Sequence, residues 1–276
     1  MTRPIITLLT DFGESDGYVG AMKGVMLSIA PDAYLVDVSH QVQPQNIRQA
    51  ARILENVVPY YPEGTVHLVV VDPGVGSERS PIAVRTAAGY FVAPDNGVLS
   101  LILDTDAQAV LLDNTAFWRD DRPSDTFHGR DIFSPAAAHL AAGVPLTGLG
   151  SPLAQIKRLP EAPLAVEGNS IRGEVIYIDR FGNVMTNITP LVWADRDTLV
   201  LRWQGEDIRI DPQRASVTCG WHNLSQKRRR YSEVKIGERL VLVSSIGVLV
   251  IAVNQCNSAA QLDLSIGDHV TLHLSK

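Results

Sequence analysis

Asp72 and Arg79 stand seven residues apart in VHLVVVDPGVGSER (residues 66–79), an acid and a base at either end of a loop that contains Gly74 and Gly76. A loop of that length can fold back and pair them, and a paired carboxylate can still accept a proton or orient a water molecule. Further acids, Asp11, Asp16 and Asp37, sit in or just after other apolar runs, and His40 and His128 supply imidazoles. One Asp after a strand is an ordinary turn or helix cap. Four of them at one sheet edge point to a site, because open α/β sheets bind ligands at the carboxyl ends of their strands. Carboxylates and imidazole also suit Mg, Mn or Zn. With no HExxH spacing or comparable ligand pair, a metal-dependent hydrolase is the lesser alternative. No GxSxG elbow is present, and DPGVG lacks the Lys-Ser/Thr of a P-loop.

A second polar loop runs from Asp179 through Arg180, Phe181 and Gly182 to Asn183. An Asn amide can pair with an adenine edge through one donor and one acceptor, and Phe or Tyr can stack on the ring. The same spacing fits a hairpin turn with a packed Phe equally well.

The elements that must position these groups alternate at first. Ile5–Thr10, Tyr34–Val38 and Val66–Val71 are apolar strand-like runs, and Met22–Ile29 and Asn46–Val58 have helical spacing. Such alternation specifies a mostly parallel α/β layer. Ile82–Thr86 and Tyr90–Ala93 read as a hairpin, Val98–Asp104 as a helix, Ala109–Leu112 as a strand, and Ile132–Ala142 as a helix ended by Gly143. His128 then lies just before a helix N-terminus, where polar ligands are favoured. Prolines and a glycine interrupt residues 157–169, which read as a linker between an N-terminal α/β domain (1–156) and a C-terminal domain (170–276). Ile171–Asp179, Thr198–Trp203, Glu206–Ile210, Arg239–Ser244, Val248–Val253 and His269–Leu274 are short strands separated by turns, the pattern of a small antiparallel barrel or sandwich.

A chain of 276 residues with 45% hydrophobic content can build two cores, and its net charge of −6 argues against nucleic acid or an anionic membrane as partner. The basic run Lys227–Arg230 reads as a solvated loop. Cys219 and Cys256 are too few for a disulfide scaffold and lack zinc-site spacing. No apolar stretch is long enough to span a membrane, and the N-terminus shows neither a long apolar region nor a cleavage site, so the expectation is a cytoplasmic protein.

Taken together and in order, TDFG, VDVSH, GTVHLVVVDPGVGSER, APDNG, TFHGRD, IDRFGN, TNI, SSIG and IAVN closely resemble the S-adenosyl-L-methionine hydroxide adenosyltransferases, relatives of the fluorinating and chlorinating enzymes. The likeness spans nearly the whole chain. It implies an α/β domain followed by a smaller β-barrel, a homotrimer with active sites between the first domain of one subunit and the second of the next, and no metal or redox cofactor. It implies catalytic roles for Asp72, Arg79 and His128, and ribose binding by Asp11. The methionine ammonium would meet Asp179 and Ser245, and adenine would be read by Asn183 and packed by Phe181 and Tyr231, with Thr126 and Phe127 lining the pocket.

The chain departs from the halogenating relatives where they surround the halide with Tyr, Thr and Ser. It has Asp72, Val75 and Gly129 there, and it lacks their extra loop after Arg85. A carboxylate beside the reacting carbon repels a halide and can orient water. Ile246 stands where those relatives hold the methionine carboxylate with an Arg. The function expected is hydrolysis of S-adenosyl-L-methionine to adenosine and L-methionine by attack of water or hydroxide at the ribose C5′. The alternative is a non-catalytic binder or sensor of an adenosyl ligand.

Overall fold

The computed structural model describes residues 3–274, and the chain divides into two compact units between Leu159 and Pro160. The first contains, in order, β1 (Ile5–Thr10), α1 (Tyr18–Ile29), β2 (Tyr34–Ser39), α2 (Ile47–Val57), β3 (Val66–Val70), β4 (Pro81–Thr86), β5 (Gly89–Pro94), β6 (Gln108–Leu111), α3 (Ser134–Ala141) and β7 (Pro152–Leu153). Its strands form one sheet ordered β2-β1-β3-β5-β4-β6-β7. The pairs β1–β2, β1–β3 and β3–β5 are parallel, and the remaining pairs are antiparallel.

Every residue of β3 is buried, as its unbroken apolar pattern requires. Leu68 and Val70 face a core shared with Met22 and Met26 of α1 and with Phe133 and Ala137, while Val69 and Val71 face Leu54 and Ala50 of α2. Each such side chain stabilises the fold by about 1.5–3 kcal/mol. With both faces covered, an acid on this chain is tolerated only where the strand ends, at Asp72.

One β3 residue breaks the apolar rule. His67 is fully buried and stacks on Phe91 with ring centroids 5.0 Å apart. Its Nδ1 meets Thr7 Oγ1 at 2.8 Å, and its Nε2 has no partner among the described residues. Burial drives its pKa from 6.5 down to about 4. The unfolded chain therefore takes up this proton near 6.5 and the folded chain only near 4. Stability is complete above about 6.5 and falls by about 3 kcal/mol as the pH drops to 4. Urea titrations at pH 7 and pH 4.5 are expected to show this loss shrinking in His67→Leu; an undiminished loss would assign it to other groups.

The second unit holds β8 (Ala165–Glu167), β9 (Ser170–Ile178), β10 (Val184–Thr186), β11 (Leu191–Trp193), β12 (Leu199–Trp203), β13 (Glu206–Ile210), β14 (Ser216–Cys219), β15 (His222–Leu224), β16 (Arg239–Val243), β17 (Leu249–Val253), α4 (Ser258–Leu262) and β18 (His269–His273). An antiparallel sheet ordered β15-β14-β18-β9-β10-β17-β16, with β8 added to β9, wraps a core containing Val175, Val184, Val217, Ile251 and Val270. Its edge strands come together where Arg239 Nη1 on β16 donates to His222 Nδ1 on β15 at 3.2 Å, so the sheet is a nearly closed barrel. The strands β11, β12 and β13 form a separate three-stranded sheet. An α/β unit followed by a smaller antiparallel barrel is the class the sequence predicts.

Three expectations are corrected. Val98–Asp104 is a series of turns, not a helix. Gly97 has φ +94°, and Ser100 is engaged by the segment beyond the α/β layer, with Oγ accepting from Leu159 N at 2.7 Å and its carbonyl from Arg158 Nη1 at 3.3 Å. The helix expected over Ile132–Ala142 begins earlier as a π-helix, Gly129–Phe133, that continues into α3. Residues 157–169 include the strand β8, paired with β9.

Candidate active site

The chain leaves β3 at the carboxyl edge of the sheet and turns through residues 73–78, which brings Arg79 back onto Asp72. Arg79 Nε donates to Asp72 Oδ1 at 3.0 Å, and Nη2 donates to Oδ2 at very close range. The two side chains are only 5% (Asp72) and 6% (Arg79) exposed. The same Nη2 lies 3.2 Å from His128 Nδ1. A guanidinium only donates, so Nδ1 is the acceptor and the neutral imidazole carries its hydrogen on Nε2. Burial pushes the Asp72 carboxyl above its ordinary value, with Arg79 and His128 opposing. Burial, then the Arg79 charge, pushes His128 below its own. Arg79 Nη1 is buried without a hydrogen-bond partner among the described residues, which leaves a donor in the site for a ligand or water.

Two contacts hold this loop. Asn96 Nδ2 donates to the carbonyl of Val71 at 2.9 Å, anchoring the end of the strand. Gly76, at φ +76°, packs so closely on the carbonyl of Asp125 that a Cβ there would collide with it. The loop bearing Asp72 and Arg79 is thus fitted to the segment that leads into His128. That segment is fixed by Asp131, whose carboxylate accepts from Arg130 Nε at 2.7 Å and Nη2 at 2.8 Å and from Ser124 N at 2.9 Å. Arg130 first, together with these further contacts, holds the Asp131 carboxyl down at about 2.

Asp11 lies past the end of β1, and its Oδ2 accepts from Gln45 N at 2.7 Å. Gln45 has φ +66°, a conformation that costs a non-glycine residue energy and marks a constrained loop. Behind Asp11, Thr10 Oγ1 meets His40 Nδ1 at 2.9 Å, His40 Nε2 meets Asp37 Oδ1 at 3.0 Å, and Asp37 takes Lys23 Nζ at 2.5 Å. The acid and imidazole that suggested a metal ligand set are therefore tied to each other and to a cation. Among the described residues, no group of three or more His, Cys, Asp or Glu is placed to hold a metal ion. Phe127 joins Phe12 and Tyr18 in an aromatic cluster, with centroids 5.2–5.9 Å apart, while Thr126 is exposed beside it.

In the second unit, Asp179, Phe181, Asn183 and Tyr231 line one groove of about 960 Å³, which also includes Lys235, Asn254 and Asn257. Phe181 is 76% exposed and Tyr231 42% exposed, so both rings present apolar surface to the groove. The Tyr231 hydroxyl is pushed up, by burial first and by the Asp179 charge second. Ser245 is not among the lining residues and lies exposed in the turn between β16 and β17.

The structure thus brings Asp72, Arg79 and His128 together in one cluster, and Asp179, Phe181, Asn183 and Tyr231 in another. Asn96 and Asp131 escaped sequence reasoning as supports of the site, as did the links that join Asp37 and His40 to Lys23 and Thr10, since no spacing rule signals them; the Asn96–Val71 and Thr10–His40 contacts also join residues far apart in the chain. The notable hint was the density of polar residues in PDNG and FHGRD.

A family model described as the SAM hydroxide adenosyltransferase N-terminal domain matches residues 6–150, and the model of the C-terminal domain matches residues 173–271. The (R)-S-adenosyl-L-methionine hydrolase of Thermus thermophilus is 39% identical over 279 residues, covering 98% of this chain and 99% of that protein. A fluorinase of Actinopolyspora mzabensis is 31% identical over 298 residues, covering 96% of each. The crystal structure of an uncharacterized conserved protein from Thermotoga maritima superposes with a TM-score of 0.83 at 36% identity, covering 97% of this chain and 99% of that one. With both domain models matched in order and these relatives aligned over nearly their whole lengths, the chain belongs to the SAM hydroxide adenosyltransferase family.

Proposed function

We propose that this protein hydrolyses S-adenosyl-L-methionine to adenosine and L-methionine. The observation that carries the reading is the buried Asp72 carboxylate, gripped on both oxygens by Arg79, whose Nη2 also meets His128. Substrate sulfur departs as a neutral thioether, so the leaving group needs no proton. A water oxygen forms the bond to C5′ as the C5′–S bond breaks and its electron pair moves to sulfur. The water loses one proton, and Asp72 accepts a hydrogen bond or that proton. Arg79 keeps the carboxylate ionised in a dry setting, and its unused Nη1 donor is available to a water or a ligand oxygen. His128, neutral, holds the guanidinium through Nδ1 and offers Nε2–H. The step as written needs no cofactor.

Asp11 binds the ribose hydroxyls in this reading, Thr126 and Phe127 line the pocket, Asn183 reads adenine between Phe181 and Tyr231, and Asp179 and Ser245 serve the methionine ammonium. The assembly proposed is a homotrimer working in the cytoplasm, each site drawing on the first unit of one subunit and the second unit of the next. Among the described residues no helix is long and apolar enough to cross a membrane. Chromatography after incubation with S-adenosyl-L-methionine is expected to show adenosine and methionine in equal amounts; intact substrate with measurable binding would make the protein a binder instead. For the assembly, Asp72→Ala and Asn183→Ala chains dissociated and reassembled together are expected to regain part of the activity. No recovery in proven mixed trimers would refute a shared site.

A further inference from the structure

Asp179 determines which way round the Asn183 amide faces. Its Oδ1 accepts from the backbone N–H of Phe181 at 2.8 Å and of Asn183 at 2.9 Å, and its Oδ2 accepts from Asn183 Nδ2 at 2.8 Å. An ionised carboxylate has nothing to donate, so the amide oxygen of Asn183 cannot replace the nitrogen at Oδ2. Turning the amide over would set two acceptors against each other at a residue only 8% exposed, where water cannot readily relieve the contact. The loop itself is closed: Asp179 N donates to the Asn183 carbonyl at 3.0 Å, and Ala259 N of α4 to the Gly182 carbonyl at 2.9 Å. Gly182, at φ +82°, fits against Asn257 with no room for a Cβ. One orientation of the amide remains, leaving Oδ1 and a single N–H of Asn183 for a ligand in the groove.

The two purine types differ in the order of their hydrogen-bonding groups. A 6-amino purine offers an N–H donor beside an acceptor ring nitrogen, and a 6-oxo purine offers an acceptor oxygen beside either a ring N–H or another acceptor. An amide free to turn over has almost the same shape either way and can read both. A fixed one reads only one. Resting on the adenine reading of this groove, we propose that Asp179 is a positioning residue which locks Asn183 for a 6-amino purine, and that it is thereby the source of discrimination against 6-oxo purine substrates and products.

Calorimetric titration of the full chain with adenosine, purine riboside and inosine tests this. The locked amide predicts adenosine tightest and inosine about 10–100-fold weaker, the range of a bidentate base contact. It also predicts inosine weaker than purine riboside, which lacks any 6-substituent, because O6 would face the acceptor Oδ1. A purely structural Asp179 leaves the amide free to adapt, and inosine then binds at least as well as purine riboside. In Asp179→Asn the amide oxygen stays on the two backbone N–H groups and the nitrogen faces Asn183, whose own amide then turns over to accept from it, so the adenosine-to-inosine ratio is expected to fall by about tenfold or more. Inosine matching purine riboside on the parent chain, or an unchanged ratio in Asp179→Asn, overturns the lock. Hydrolysis of S-adenosyl-L-methionine is scored on the same preparations. Hydrolysis without purine selectivity removes the lock and leaves the activity standing, whereas absence of any adenosine binding removes the adenine reading together with the lock.

Discussion

Turnover of S-adenosyl-L-methionine by Asp72→Asn is expected to fall by about a hundredfold or more, with substrate and adenosine still bound. The amide keeps the size of the carboxyl and can still accept from one nitrogen of Arg79, but it carries no charge with which to hold a water by its hydrogens or take its proton. The pH dependence sharpens the test. Burial raises the Asp72 carboxyl from its usual range, so parent turnover is to rise with pH as the group ionises at that elevated value. Asp72→Asn has nothing to ionise there and loses this limb. Parent-level turnover in the variant, measured by product chromatography, would remove Asp72 from the chemistry.

Arg79→Met is expected to lower stability by about 3–5 kcal/mol, the usual consequence of stripping one partner from a buried ion pair. The figure applies because both side chains are almost fully enclosed. The Asp72 carboxyl, deprived of the attraction that offsets its burial, then moves further up, so whatever activity survives appears only at still higher pH. Arg79→Lys restores the charge without the two-pronged grip and is expected to recover more stability than turnover. Denaturant midpoints and pH–rate profiles check both. An Arg79→Met chain as stable as the parent, with its acidic limb in place, would show that the pair is incidental.

Much of this was legible in the residues because the physics is local. The run from Val66 to Val71 can only be a strand covered on both faces, and such a strand expels Asp72 to its end, where the sheet edge collects ligands. The strands Val184–Thr186, Ser216–Cys219 and His222–Leu224 were not legible. Each is three or four residues long with mixed polarity, and what makes it a strand is the partner that completes its hydrogen bonds. Val98–Asp104 misled for the opposite reason: its first apolar residues are buried, but Ser100 is claimed by Arg158 and Leu159 from far along the chain. In the site, residue types announced the acid, the base and the imidazole, whereas the hold of Asn96 on Val71 depends on closure of the fold.

The π-helix at Gly129–Phe133 bears on how this site tolerates a change of length. Its wide turn, closed by Ser134 N on the Gly129 carbonyl, accommodates one residue more than an α-helical turn. The same rotation is covered by one residue fewer in α-helical winding, so removing a single codon there, Ile132 for instance, restores the α-helix and leaves the bearing of His128 relative to α3 nearly as it was. A one-codon deletion is thus a change of length that the approach of His128 to Arg79 can absorb. A deletion variant that folds like its parent but no longer turns over would show that the wide turn itself sets the bearing of His128.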